Sequence, residues 1–134
     1  MTITSHPNFL RYVLWSDVIA SGATGLLMIA AAGVLESFLG LPSTLTREAG
    51  LILVPYVAFV GFVAISAQIS RAAVWAIIAA NATWTIGSFG VLVSGVVAPT
   101  ALGYAFVIAQ ALVVAILAML QYAGLRTPTA VQAG

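Results

Sequence analysis

Residues 72–92 read AAVWAIIAANATWTIGSFGVL, a run without a charged residue, whose polar members are Asn81, Thr83, Trp84, Thr85 and Ser88. At about 1.5 Å per residue, a helix of this length covers the ~30 Å hydrocarbon core of a bilayer, so the run is expected to span a membrane. Asn81 stands ten residues beyond Arg71, roughly 15 Å along a helix and near the bilayer centre. Asn81, Trp84, Thr85 and Ser88 are three, four and seven residues apart and so share one helix face. Lipid offers that face no hydrogen-bond partner, so it is expected to turn toward other helices or a wet cavity. Asn81 then has two candidate roles: interhelical glue worth about 0.6 to 2 kcal/mol, or contact with a ligand or ion. Asn81-Ala82-Thr83 also matches a glycosylation acceptor, which has no meaning at membrane depth.

The rest of the composition agrees. Of 134 residues, 63% are hydrophobic and 5% charged, and the mean hydropathy is +1.17. A soluble globule carries about a quarter charged residues, so a polytopic membrane protein with one compact domain is expected. The absence of cysteine removes thiol redox chemistry, disulfides and thiolate metal sites. One histidine, His6, outside the apolar runs, removes a bis-imidazole haem within the chain and weakens any metal reading. Four arginines, no lysine and a net charge of +1 make neither a nucleic-acid patch nor a polybasic strip for anionic lipid. No cofactor is implied.

Residues 1–8 form a polar lead-in, in which Asn8 or Ser5 could cap the helix that follows. A first apolar run extends from Phe9 to Leu39, with Arg11 at its start and Tyr12 and Trp15 at the level of interfacial aromatics. Arg11, the apolar run and Ala30-Ala31-Ala32 imitate a signal peptide. An uncleaved span is preferred, because the run is long and Asp17 interrupts it. Leu41-Pro42-Ser43 is expected to end that helix, and Thr44 to Ala49, with Arg47 and Glu48, to form a charged turn. A second span over Gly50–Ala67 contains Pro55, which lacks a backbone donor, strands the Leu51 carbonyl and predicts a kink. Residues 68–71 make a tight turn, Ser94 to Thr100 the next, and a fourth span covers Ala101–Ala123. The domain therefore occupies residues 9–126, and residues 127–134 read as a disordered tail.

Four spans in an antiparallel all-α bundle put both termini on one side, with Arg11, Arg71 and Arg126, and leave Arg47 on the other. The positive-inside bias then expects cytoplasmic termini. At an offset of 57 residues, Gly33-Val34-Leu35-Glu36-Ser37 aligns with Gly90-Val91-Leu92-Val93-Ser94, Pro42 with Pro99 and Leu45 with Leu102. This pattern fits two repeated helical hairpins and also the chance matching of apolar runs. It puts Thr24 level with Asn81.

The first span has its own polar stripe, Asp17, Ser21 and Thr24, and in the fourth span Gln110 and Gln121 share a face. Depth counted from Arg11 and Arg126 sets Asp17 level with Gln121, and Gln110 near the depth of Asn81. The expected interior is a mid-membrane cluster of Thr24, Asn81, Trp84, Thr85 and Gln110 above a layer of Asp17 and Gln121, with Arg71 or Arg126 in reach. An acid within a span is expensive and can carry protons, which makes Asp17 the leading functional candidate. Its alternative is an interfacial acid paired with Arg71 or Arg126, or held by the positive end of its own helix. Glu36 and Glu48 fall at the far edge, where they are expected to be solvated. Asp17 and Glu36, taken on one helix, would be about 28 Å apart, too far for a catalytic pair. No Ser, His and Asp set, phosphate loop or metal spacing appears. Small residues recur as Ser21 and Gly25, Gly61 and Ala64, Ala79, Thr83 and Gly87, and Ala101, Ala105 and Ala109. Such stripes serve close packing within one chain or a face between copies.

Arg11 followed by Asp17, Ser21-Gly22-Ala23-Thr24-Gly25, Ala73-Val74-Trp75 leading to Asn81-Ala82-Thr83-Trp84, Pro99-Thr100-Ala101-Leu102-Gly103 and Gln121-Tyr122-Ala123-Gly124-Leu125-Arg126 cover nearly the whole chain. In them the chain resembles a family of short four-span bacterial inner-membrane proteins. The resemblance implies a fold and the bacterial cytoplasmic membrane, and no mechanism. More loosely, the chain is similar to small multidrug-resistance transporters, whose first helix carries an acid shared by proton and cation. Asp17 is the candidate for that role, although it lies nearer the span's edge and Ser21–Gly25 departs from that family's usual sequence.

Scarcity of reactive groups makes a non-enzymatic bundle with a structural, accessory or lipid-adapting role the first expectation. The alternative is a small proton-coupled transporter of hydrophobic or cationic molecules. The expected partners are the lipid bilayer and a second copy or another membrane protein, with no nucleic acid.

Overall fold

The computed structural model describes residues 8–126 and the backbone of residues 131–132. Its elements are α1 (Phe9–Ala30), α2 (Ala32–Leu39), α3 (Ser43–Ile65), β1 (Ile69–Ser70), α4 (Arg71–Ser94), α5 (Ala101–Leu125) and β2 (Val131–Gln132). Four of them, α1, α3, α4 and α5, are 22 to 25 residues long and apolar enough to cross a membrane. This is a multi-pass, all-α membrane protein. Large side chains such as Ile19, Leu26, Phe62, Ile86 and Met119 are exposed on its outside, as a surface facing hydrocarbon requires.

Two boundaries differ from those expected. The run from Phe9 to Leu39 is two helices, so Asp17 and Glu36 do not share one. Ala31 at φ −115° turns the axis while its N–H still bonds the Leu27 carbonyl. Thr44 to Ala49 is no turn but part of α3. Pro42 at φ −55° already has the ring-fixed angle from which a helix can start, and its carbonyl accepts from the Thr46 N–H at 3.0 Å. Arg47 and Glu48 are exposed on the second turn of α3. That helix continues through Pro55 to Ile65. At the start of α1, Asn8 makes no side-chain cap bond, and Ser5 lies outside the described residues. Val131–Gln132 pair in parallel with Ile69–Ser70; the rest of the tail expected to be disordered also lies outside them.

Helices α1 and α3 pack tightly along their lengths, as do α4 and α5, and α1 joins the pairs by packing on α5. The first pair is drawn together at Gly25 and Gly50. A Cβ on Gly50 would stand 3.0 Å from the Gly25 carbonyl oxygen, an approach that larger residues forbid. At the end carrying Arg11, Arg71 and Arg126, hereafter the arginine end, Leu10, Leu14, Val60, Val63, Ala64, Ile69, Val74, Ile77 and Leu125 form a buried apolar cluster. At the opposite end α2 runs into α5. Thr100 donates its N–H to the Leu39 carbonyl at 2.9 Å and its hydroxyl to the Phe38 carbonyl at 2.8 Å, which satisfies two end carbonyls of α2. Gly40 at φ +71° turns the chain there. Helices α3 and α4 scarcely touch, so the two pairs stand apart between these ends.

Candidate functional site

Each polar side chain of the interior is aimed by helical spacing on a packed helix. On α1, Asp17 and Ser21 are one turn apart, and Ser21 Oγ donates to Asp17 Oδ1 at 2.7 Å. Across the bundle, Gln121 Nε2 of α5 donates to Asp17 Oδ2 at 2.7 Å and Asn81 Nδ2 of α4 donates to the same oxygen at 3.1 Å. Asn81 Nδ2 also donates to Gln121 Oε1 at 2.9 Å. Tyr56 of α3 completes the cluster: its hydroxyl oxygen lies 2.6 Å from Asp17 Oδ2 and 2.8 Å from Asn81 Oδ1, within hydrogen-bond distance of both. Asp17 and Gln121 are both 0% exposed. Every membrane-crossing helix thus contributes to one buried carboxyl.

Among the described residues Asp17 makes no ion pair, in contrast to the expected partnership with Arg71 or Arg126. Arg71 Nη1 instead donates to the Leu125 carbonyl at 2.8 Å, at the end of α5. Arg11 Nη1 donates to the carbonyls of Ala64 and Ser66 (2.8 Å for Ser66) at the end of α3. A cation placed there meets the last carbonyls and the negative end of the helix dipole. Arg126 is exposed. The partners of Asp17 are therefore all neutral, and they offset desolvation by hydrogen bonds instead of charge.

Asn81 lines one cavity with Thr24, Trp84 and Gln110 and also reaches the lower layer of Asp17 and Gln121. Its side-chain bonds lie in that layer, while Trp84 and Gln110 make a second network toward the far end. Trp84 Nε1 donates to Gln110 Oε1 at 2.7 Å, and Gln110 Nε2 donates to Ser88 Oγ at 3.0 Å and to the Val107 carbonyl at 2.8 Å. Thr85 returns its hydroxyl to the Asn81 carbonyl at 2.9 Å. Thr24 joins neither network and lines a cavity between them and the far end.

That cavity, about 1060 Å³, occupies the space where the helix pairs part. It begins at Ser21, Tyr56 and Asn81, which line its floor, while Asp17 and Gln121 lie beneath that floor. Its walls are mostly aliphatic and include Trp84, Phe106 and Gln110, without any charged side chain. Leu45 and Ile52 of α3 and Thr83 and Gly87 of α4 line it and are exposed, on the two helices that scarcely touch. On the other side of Asp17, the apolar cluster of the arginine end closes the bundle. Among the described residues no three of His, Cys, Asp and Glu come together to hold a metal.

Tyr56 is the site residue missed by spacing arguments. Its signal is position: tyrosines of spanning helices gather at the interfaces, whereas Tyr56 stands mid-helix and directly after Pro55. No protein-family model, curated protein or solved structure matches this chain.

Proposed function

We propose that the protein is a small proton-coupled carrier of hydrophobic or cationic molecules, without catalytic chemistry of its own. One observation carries this: a buried carboxyl lies directly beneath an apolar cavity lined in part by exposed residues of two membrane-crossing helices, separated from it by three hydrogen-bonding side chains. Volumes of about 300 to 1,000 Å³ accept drug-sized molecules, and acids within spans commonly mark proton pathways. A bundle serving only as scaffold or lipid adapter, the first expectation from composition, gains nothing from an acid so placed. The excess of Arg11, Arg71 and Arg126 over Arg47 supports termini on the cytoplasmic side, and the short four-span pattern supports a bacterial inner membrane. Association into dimers is compatible with the exposed small residues Ala79, Thr83 and Gly87 that line the cavity.

The test is flux in vesicles. Purified protein in liposomes with an imposed pH gradient should move a hydrophobic amine, and Asp17→Asn should slow that movement by about tenfold or more, as loss of a required proton carrier does. Unchanged flux in Asp17→Asn would return the protein to the scaffolding role.

A further inference from the structure

The hydrogens in the Asp17 cluster do not add up when the carboxyl is ionised. Asn81 Nδ2 has two hydrogens for its two acceptors, and Ser21 and Gln121 each supply the one their contact needs. Tyr56 has a single hydroxyl hydrogen, yet its oxygen is in bonding distance of both Asp17 Oδ2 and Asn81 Oδ1. One of those contacts then has no hydrogen. Exchanging nitrogen and oxygen in either amide makes matters worse, because carbonyl oxygens then face Asp17 Oδ2. A proton on Asp17 Oδ2 resolves the shortage: the carboxylic acid donates to Tyr56, and Tyr56 donates to Asn81 Oδ1.

Loss of that proton leaves a defined vacancy. A charged acceptor takes the tyrosine hydrogen in preference to a neutral one, so Tyr56 turns to Asp17 and Asn81 Oδ1 loses its donor. Asn81 and Tyr56 line the cavity, whereas Asp17 does not. The acceptor released is thus on the ligand side of the floor. We infer that Asn81 Oδ1 is the ligand-binding atom of this cavity, that it takes an N–H of an ammonium group on an apolar body, and that Tyr56 makes such binding compete with a proton on Asp17. This rests on the carrier reading above and names its substrate class and coupling. The exchange balances: one ammonium cation enters as one proton leaves Asp17 for water. The ligand's charge is then held near the carboxylate through the floor without touching it, and its body lies against the aliphatic walls and Trp84.

Among the described residues, Tyr56 is the one other titratable group that faces Asp17. Toward Asp17, α3 presents Tyr56, α4 Asn81, α5 Gln121 and α1 Ser21, and Arg11 and Arg71 are turned to backbone carbonyls.

The experiment compares 1-aminoadamantane with its trimethylammonium analogue, which keeps the cage and the charge and has no N–H. Both are titrated calorimetrically into the full chain in detergent, in buffers of different ionisation enthalpy, so that affinity and proton release are read together. The primary ammonium should bind about tenfold more tightly, the effect of one charge-assisted hydrogen bond, and should release about one proton per molecule bound. In Tyr56→Phe, Asn81 Oδ1 is free of a competing hydroxyl in either state, so binding should persist while its proton release disappears. Equal affinity of the two ammonium compounds, or binding of the primary one without proton release, overturns the inference. So does unaltered proton release in Tyr56→Phe. Flux that still depends on Asp17 in the vesicle assay would leave the carrier standing in each of those cases.

Discussion

At Asp17, hydrogen-bond chemistry separates two substitutions that look alike in charge. Asp17→Asn keeps an acceptor for Gln121, Asn81 and Tyr56 when its amide oxygen takes the Oδ2 position and its nitrogen turns to Ser21, so it reproduces the ionised carboxyl's hydrogen bonds without the charge. We expect its folding free energy in detergent to stay within about 1 kcal/mol of the native protein, even where flux is lost. Gln121→Leu removes a donor to Asp17 Oδ2 and the acceptor of Asn81 Nδ2 in a fully buried place. Leaving buried polar groups unpaired costs about 1 to 3 kcal/mol each, so this variant should be the less stable by about that amount in a denaturation series. A reversed order would show that the cluster does not hold the bundle together. Asp17, Asn81 and Gln121 were each visible in sequence as polar residues on inward faces. Their meeting was not, because depth counted from flanking arginines treats all helices as starting in one plane. Counting this way separates Asn81 from the layer of Asp17 and Gln121, to both of which it bonds directly.

Among the elements, the glycines divide into those that let helices touch and those that do not. A Cβ on Gly103 would sit 2.0 Å from the Leu39 carbonyl oxygen, where α5 receives the end of α2. Backbone cannot yield as a side-chain tip can, so Gly103→Ala should destabilise by about 1 to 3 kcal/mol or more. Gly87 in α4 has nothing within 4 Å of its would-be Cβ, and Gly87→Ala should be neutral or stabilising by up to about 1 kcal/mol through helix propensity. Thermal melts of the two proteins check the contrast. The stripe Ala79, Thr83 and Gly87 shows why spacing alone misleads here. It has the pattern of a packing face, but within this chain it borders the open cavity.

For the whole molecule, the placement of arginines and the course of the cavity predict accessibility from either side. The chain has no cysteine, so single introduced cysteines report cleanly. Glu48→Cys, at the exposed far end, should react with a membrane-impermeant maleimide added to intact cells. Reaction only after permeabilisation would reverse the orientation. Thr83→Cys in the cavity lining should react with a lipid-soluble maleimide, whereas Val74→Cys, 0% exposed within the arginine-end cluster, should not.

The sequence by itself determined that the chain spans a membrane four times and that its chemistry is confined to a few neutral polar groups and one acid within a span. Both follow from hydrophobicity summed along successive residues, a local quantity that needs no knowledge of neighbours. Tertiary structure decided that Asp17 has four neutral hydrogen-bond partners and no cation among the described residues, that Tyr56 lies between Asp17 and Asn81, and that a cavity begins where they end. The physical reason is distance along the chain: Asp17 and Gln121 are separated by 104 residues. Their contact depends on how each helix is rotated and shifted against the next, and close backbone contacts at Gly25, Gly50 and Gly103 settle that register.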